Sequence, residues 1–400
     1  MAGPGAYLFG DEERKEVLDV LSTGYLSRYG SEDDPRFKQK VVTLEREFAK
    51  KIGVRHALAT NGGTSSLMAA LVALGVGRGD EVIVPGYTFV ASISAIIAVG
   101  GTPVLAEIDE SLTIDPADVE RRLTGRTKVI MPVHMLGNPA DLDRIMGLAR
   151  AHSVPVLEDA CQSLGASYKG KMTGSYGAIN AFSLNINKTI TTGDSGMVTT
   201  DDDDLYERAF GYHDQGHKPL RTGLEIGRRA LVGINLRINE LTGAVGLAQL
   251  RKMDGIVTLL RQKKQRFKSA IAGAGIRGMT FRTINDPGEI ATMLTVFFPD
   301  EATTRKVAGA LGTKTVADSG WHVYNNMEQI LAWKDEQGRQ PNKAHMLKQT
   351  DAILSRAVNL SVGVVDPGIG ASFGINVLSS DTDIDAKADE FVRKVKPING

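Results

Sequence analysis

Ala181-Phe182-Ser183 closes an apolar run, and five residues later Lys188 stands in the polar stretch Asn187-Lys188-Thr189-Ile190-Thr191-Thr192-Gly193. A hydroxyl and an amine at that spacing can reach one small ligand. A lysine amine that is partly desolvated or beside another cation gives up its proton more readily, and the neutral amine attacks aldehydes to form a Schiff base. Asn61-Gly62-Gly63-Thr64-Ser65 lies where a strand-like run passes into a helical one, so its backbone N–H groups and hydroxyls gather at a positively polarised helix start, a cradle for phosphate. It has neither a Walker lysine nor GxGxxG spacing, which argues against a nucleoside triphosphate or a dinucleotide. Glu158-Asp159 ends the run Val154-Pro155-Val156-Leu157, and in open parallel sheets ligands collect beyond the carboxyl ends of strands. Asp159 is the carboxylate chosen here to face a cationic ring nitrogen. Phe89, in Tyr87-Thr88-Phe89-Val90-Ala91, follows another strand and can lay its ring on a planar heterocycle.

Taken singly, each feature has a plainer reading: a capped turn, a strand-end carboxylate in solvent, a solvated lysine, a core aromatic. Their order along one alternating pattern is more restrictive. A phosphate turn, a strand-end aspartate and a downstream Ser-x₄-Lys match three parts of one cofactor, pyridoxal 5′-phosphate (PLP): its anionic tail, its pyridine nitrogen and its aldehyde. Ser319 to Asn326 adds His322 among aromatics and amides suited to a hydroxylated substrate, although a structural loop explains them nearly as well.

The elements that must position these residues follow from periodicity. β-branched apolar runs at 56–60, 81–85, 103–107, 128–133, 154–158, 179–183 and 196–200 alternate with helical patterns at 64–75, 91–99, 116–123 and 140–152. Such alternation predicts an α/β fold, a mostly parallel sheet flanked by helices. Asp115-Pro116 supplies an N-cap and a first-turn proline for the third helix. Helices at 11–22 and around Phe37, Val41, Leu44 and Phe48 precede the sheet. From Asn235 to about residue 272 a long helix, with Leu241, Val245, Ala248 and Met253 as its apolar stripe, is expected to join two domains. Strands near 279–282 and 291–297 and helices near 301–311 and 383–395 then make a smaller α+β domain, with a long loop over 313–350. The expected division is 1–254 and 255–400.

Lysine plus arginine and aspartate plus glutamate each number 47, so no general attraction to nucleic acid or acidic membrane is expected, and an anion must be gripped locally. One cysteine, Cys161, rules out an internal disulfide framework, and no cysteine cluster suggests a metal site. No run suits a signal peptide or a membrane span, and a cytoplasmic protein is expected.

Together these segments, with Gly79-Asp80-Glu81-Val82-Ile83-Val84-Pro85, Glu158-Asp159-Ala160-Cys161-Gln162 and Asn235-Leu236-Arg237-Ile238-Asn239-Glu240-Leu241, resemble the DegT/StrS family of sugar aminotransferases from Gly10 to about Gln249, and more faintly beyond. The resemblance implies a type I PLP-transferase fold with a seven-stranded large-domain sheet. It implies that Lys188 binds the cofactor and shuttles protons, that Asp159 pairs with the pyridine nitrogen, and that Gln162 meets the phenolic oxygen. Thr64, Ser65 and Ser183, with the Gly63 turn, would hold the phosphate; Phe89 would stack on the ring. Asn235 would reach the phosphate from the neighbouring subunit, so a homodimer is implied. It further implies an amino donor such as glutamate or glutamine, and a keto- or aldehydo-sugar acceptor in the making of an amino sugar or secondary metabolite. Met131-Pro132-Val133-His134-Met135 and Trp321 to Asn326 are most similar to the branch that includes octulosonate transaminases. One departure stands out: Gly193-Asp194-Ser195-Gly196 replaces the family's Gly-Glu-Gly-Gly, which predicts a narrower choice of backbone conformations beside the lysine. Another PLP reaction on the same fold (dehydration, aromatisation, oxidative decarboxylation) and a non-catalytic ligand-binding homologue are the competing readings. Retention of the lysine favours transamination.

Overall fold

The computed structural model describes residues 3–219 and 231–398. The short apolar runs of the first half become β1 (His56–Thr60), β2 (Glu81–Pro85), β3 (Thr102–Ala106), β4 (Thr127–Ile130), β5 (Leu157–Asp159), a small hairpin of β6 (Ser167–Tyr168) and β7 (Lys171–Met172), β8 (Ile179–Ser183) and β9 (Gly196–Thr200). Two ladders, β3-β2-β4 and β1-β9-β8-β5, are joined by parallel bridges Ile130 to Val156 and Val133 to Asp159. The seven strands therefore run β3-β2-β4-β5-β8-β9-β1. Only β9 opposes the rest, being antiparallel to both neighbours. Every residue of β2, β8 and β9 is buried, as a sheet covered by helices on both faces requires.

Helices Gly63–Ala73, Val90–Ala98, Pro116–Arg122 and Leu142–His152 make the crossovers. Asp115 accepts from Ala117 N at 2.9 Å and so caps the third. A further helix, Asp203–His213, follows β9 where the sequence pattern predicts no element; Asp202 caps it by accepting from Leu205 N.

Helix Glu240–Gly273 runs unbroken for 34 residues from an Asn239 cap. Its buried face passes through Ala244, Leu247, Ala248, Met253, Ile256, Val257 and Leu260, whereas Leu241 and Val245 are only half-buried, so the apolar stripe is rotated from the expected one. It packs on helices Asp11–Leu21 and Lys40–Ile52 and on the terminal helix Asp381–Val395, and a division between 254 and 255 falls inside it. Beyond it β10 (Thr280–Phe281), β11 (Met293–Phe297) and β12 (Ala357–Ser361) form an antiparallel sheet backed by helices Glu301–Leu311 and Asp381–Val395. β12 escaped the sequence pattern because Asn359 interrupts it. That side chain is buried, donates to Ile369 O and accepts from Thr295. The 313–350 region, expected as loop, carries the short helix Glu328–Ala332 and the start of Lys348–Ser355. Among the described residues no helix is long and apolar enough to cross a membrane.

Candidate active site

The carboxyl ends of β2, β5 and β8 and the start of helix Gly63–Ala73 open on one cleft of about 640 Å³. Gly63, Thr64, Phe89, Asp159, Gln162, Ser183, Lys188 and His322, all singled out from the sequence, line it. Gly63 has no room for a side chain. A Cβ there would stand 2.7 Å from Ser183 Cβ, so the bare backbone is what brings the first helical turn against the end of β8. The N–H groups of that turn and the hydroxyls of Thr64 and Ser183 are the right donors for a phosphate. Ser65 is different: its hydroxyl donates to Asn61 Oδ1 at 2.6 Å and it is not part of the cleft lining, so only its backbone N–H remains to serve an anion.

Strand alternation separates the two strand-end carboxylates. Glu158 turns away from the cleft and accepts from Gly174 N, Tyr176 N, Gly177 N and His134 Nε2. His134 Nδ1 accepts from Ala140 N, which makes Nε2 the protonated nitrogen and His134 a buried structural residue. Asp159 points into the cleft, with Oδ1 accepting from Cys161 N and Oδ2 from Ser92 Oγ. Gln162 Oε1 accepts from Leu136 N at 3.0 Å, which orients its amide so that Nε2 is the donor on offer. Phe89 occupies the residue just before helix Val90–Ala98, and its ring lies 5.2 Å from the His322 ring, centroid to centroid.

Lys188 sits on a tight loop that the chain's start braces: Gly3 N donates to Ile186 O at 2.9 Å. Burial pushes the Lys188 amine below the ordinary lysine range, while the Asp159 and Asp366 carboxylates pull the other way. Burial also lifts the Cys161 thiol well above its usual range, so it stays protonated. His322 is pushed down to about 3 by burial and by Lys188, which keeps it neutral, and its Nδ1 has no hydrogen-bond partner among the described residues.

The expected restriction from Gly193-Asp194-Ser195-Gly196 is not found at the substituted positions. Left-handed backbone occurs at Gly193 (φ 88°), and Gly196 is where a Cβ would meet Gly62 O at 2.6 Å; both remain glycine. Ser195 needs no such freedom, and its hydroxyl pairs with Thr192 at 2.6 Å. Asn235 lies outside the cleft. It lines a second, open pocket with Arg28, Tyr29, Asn61 and Arg237, and Asp194 borders both. Sequence reasoning missed Ser92 and Asp366 as cleft residues and met Trp321 only as one of the aromatics of the 319–326 segment. Ser92 had a signal in its three-residue distance from Phe89. Asp366 had none, since it arrives on the turn after β12.

A profile of the DegT/DnrJ/EryC1/StrS aminotransferase family matches residues 9–365. GDP-perosamine synthase of Caulobacter vibrioides is 44% identical over 243 residues, 60% of this chain and 62% of that protein, so the match spans less than two thirds of its length. The spore coat polysaccharide biosynthesis protein SpsC of Bacillus subtilis is 36% identical over 301 residues, 74% of this chain and 75% of that one. An aminotransferase structure from Psychrobacter cryohalolentis superposes with a TM-score of 0.81 at 28% identity, covering 98% of each chain. These neighbours share the type I fold described above.

Proposed function

This chain belongs to the DegT/DnrJ/EryC1/StrS aminotransferase family, and from that premise we propose that it is a PLP-dependent aminotransferase that moves an amino group from an amino acid such as glutamate or glutamine to a keto- or aldehydo-sugar. The observation that carries this reading is one cleft holding Lys188, Asp159 and the Gly63–Ser183 contact. The residues fit the cofactor chemically: hydroxyls and helix N–H groups for a phosphate, a buried carboxylate for a ring nitrogen, an amide donor for a phenolic oxygen and a lysine for an aldehyde. When bound, PLP supplies an aldehyde that takes up amino groups and a ring that withdraws electrons from the attached carbon.

The chain's own residues then have separable tasks. Thr64 and Ser183 hold the anionic tail, and Phe89 closes one face of the ring. Gln162 Nε2 donates to the phenolic oxygen, and the Asp159 side chain pairs with the ring nitrogen. The Lys188 amine, its proton affinity lowered by burial, takes a proton from the donor's carbon and returns one to the acceptor's. His322, neutral and with no partner for Nδ1 among the described residues, lines the cleft and serves the substrate. Asn235 lines the second pocket together with Asp194, and in a homodimer it completes the partner subunit's phosphate site.

The purified protein with PLP is expected to show a visible absorbance band, and borohydride to fix the cofactor to Lys188 in a peptide mass map. Glutamate or glutamine should bleach that band to the pyridoxamine form, and a carbonyl acceptor should restore it. Acceptor arms with a nucleotide-linked keto-sugar and a free octulosonate-type keto-sugar separate the two substrate branches. Full covalent trapping in Lys188→Ala, or a band that no amino donor changes, overturns the assignment.

A further inference from the structure

Asp159 is not alone in the wall of the cleft. Its Oδ2 accepts from Ser92 Oγ at 2.6 Å, and Ser92 Oγ lies 2.7 Å from Thr88 Oγ1. All three residues are buried, with side chains at most 2% exposed. The proton order in this chain is determined. An ionised carboxylate only accepts, so the single Ser92 proton goes to Asp159, and the Thr88 hydroxyl must donate to Ser92. Reversing the order, with a proton on Asp159, would leave the Thr88 proton without an acceptor among the described residues. The same turn that presents Phe89 carries both hydroxyls, because Thr88 and Ser92 flank it at the start of helix Val90–Ala98. Thr88 itself is pinned, its N–H donating to His322 O at 2.9 Å.

We propose that Thr88 and Ser92 form a two-hydroxyl relay that keeps Asp159 ionised against the cofactor's ring nitrogen, Ser92 being the positioning residue for the electron-withdrawing state of the ring. The inference rests on the PLP reading above. A charged acceptor gains more from each donated hydrogen bond than a neutral one, so the relay biases Asp159 toward its carboxylate form. Other groups face the same site: Lys188 and Asp194 from the segments around β8 and β9, Cys161 after β5, Asp366 after β12 and the neutral His322. Behind it the Glu158–His134 pair is shared by β5 and the segment after β4. Among these only the Cys161 thiol, a weak donor, also hydrogen-bonds the Asp159 carboxylate, so removal of Ser92 Oγ takes away its strong side-chain donor among the described residues.

The test is the pH titration of the visible band in the cofactor-loaded protein. Without the Ser92 donor, Asp159 becomes more basic and draws the shared proton from the ring nitrogen. The ring then carries less positive charge, and the nitrogen joining it to Lys188 holds its own proton more tightly. Ser92→Ala should therefore raise the titration midpoint by about half a pH unit or more. Thr88→Val should raise it less, and Ser92→Thr, which keeps the hydroxyl, should retain the wild-type midpoint. A purely packing role would change melting temperature and cofactor retention but leave the midpoint in place. If Ser92→Ala does not fold, Thr88→Val decides, because Ser92 is intact there. Wild-type midpoints in both hydroxyl-deleted variants, or in Thr88→Val alone when it is the only one that folds, overturn the relay. A wild-type protein that shows no visible band overturns the cofactor reading instead.

Discussion

His213 has one permitted neutral form. Arg28 Nη1 lies 3.1 Å from its Nε2, and a guanidinium only donates, so Nε2 accepts and Nδ1–H donates to Phe210 O. Burial and the Arg28 charge push the imidazole down to about 3, and His322 is held at about 3 by burial and Lys188. Both pKa values are depressed, so the unfolded chain binds protons that the folded one refuses. Stability is therefore lost as pH falls through the unfolded value of about 6.5. Between pH 7.5 and 5.5 each histidine should cost about 1.4 kcal/mol, and denaturant melts at the two pH values should show the loss. His213→Gln should flatten the dependence; an unchanged slope would mean His213 is protonated in the fold. Glu158 acts in a separate window. Its carboxyl, buried but held by His134 and backbone donors, lies below the ordinary range, so its contribution persists above about 4.3 and is lost below it. The sequence flagged Glu158 and Asp159 as a pair. Their division of labour was legible only through strand alternation, which puts neighbours on opposite faces.

The lysine loop is held by two segments distant from it in sequence, one near residue 3 and one at Gln249. Lys188 N donates to Asn185 O, Thr191 N donates to Gln249 Oε1, and the segment Gly3–Tyr7 lies against it. Gly5 shows how close the approach is: a Cβ there would meet Ile190 Cα at 2.7 Å and Gln249 Oε1 at 2.5 Å. Gly5→Ala should destabilise the protein by about 1–3 kcal/mol through overpacking and speed cofactor loss on dialysis, read together by thermal melts and absorbance. Retention of both at wild-type values would show that the brace does not hold the loop. Lys188 was visible as a motif. Its brace was not, because Gly3-Pro4-Gly5 reads only as a turn and its partners are some 180 to 250 positions away. β12 was hidden as well, because its buried Asn359 makes sense only beside Thr295, 64 positions away, and Ile369.

Across the whole molecule, exposed apolar side chains flank both pockets: Leu26 at the second, Ile186 and Trp321 at the cleft, and Val232 and Ile234 beside Asn235. The proposed homodimer would cover such a surface. Light scattering should return twice the chain mass, and Asn235→Ala should weaken PLP binding about tenfold while the dimer persists, as the loss of one hydrogen bond to a charged group predicts. A monomer that holds one PLP per chain would remove Asn235 from the site. By itself the sequence determined the alternation of strands and helices, the capped helix starts and the Gly63, Asp159, Ser183 and Lys188 positions, because periodicity, capping and short motifs act over a few residues. Only the tertiary structure decided that Ser92 donates to Asp159 across 67 positions, that Gly3 and Gly5 brace the lysine loop, and that Asn235 lies outside its own cleft. Those contacts exist only once the sheet order brings distant strand ends together, and nothing in a local pattern encodes that order.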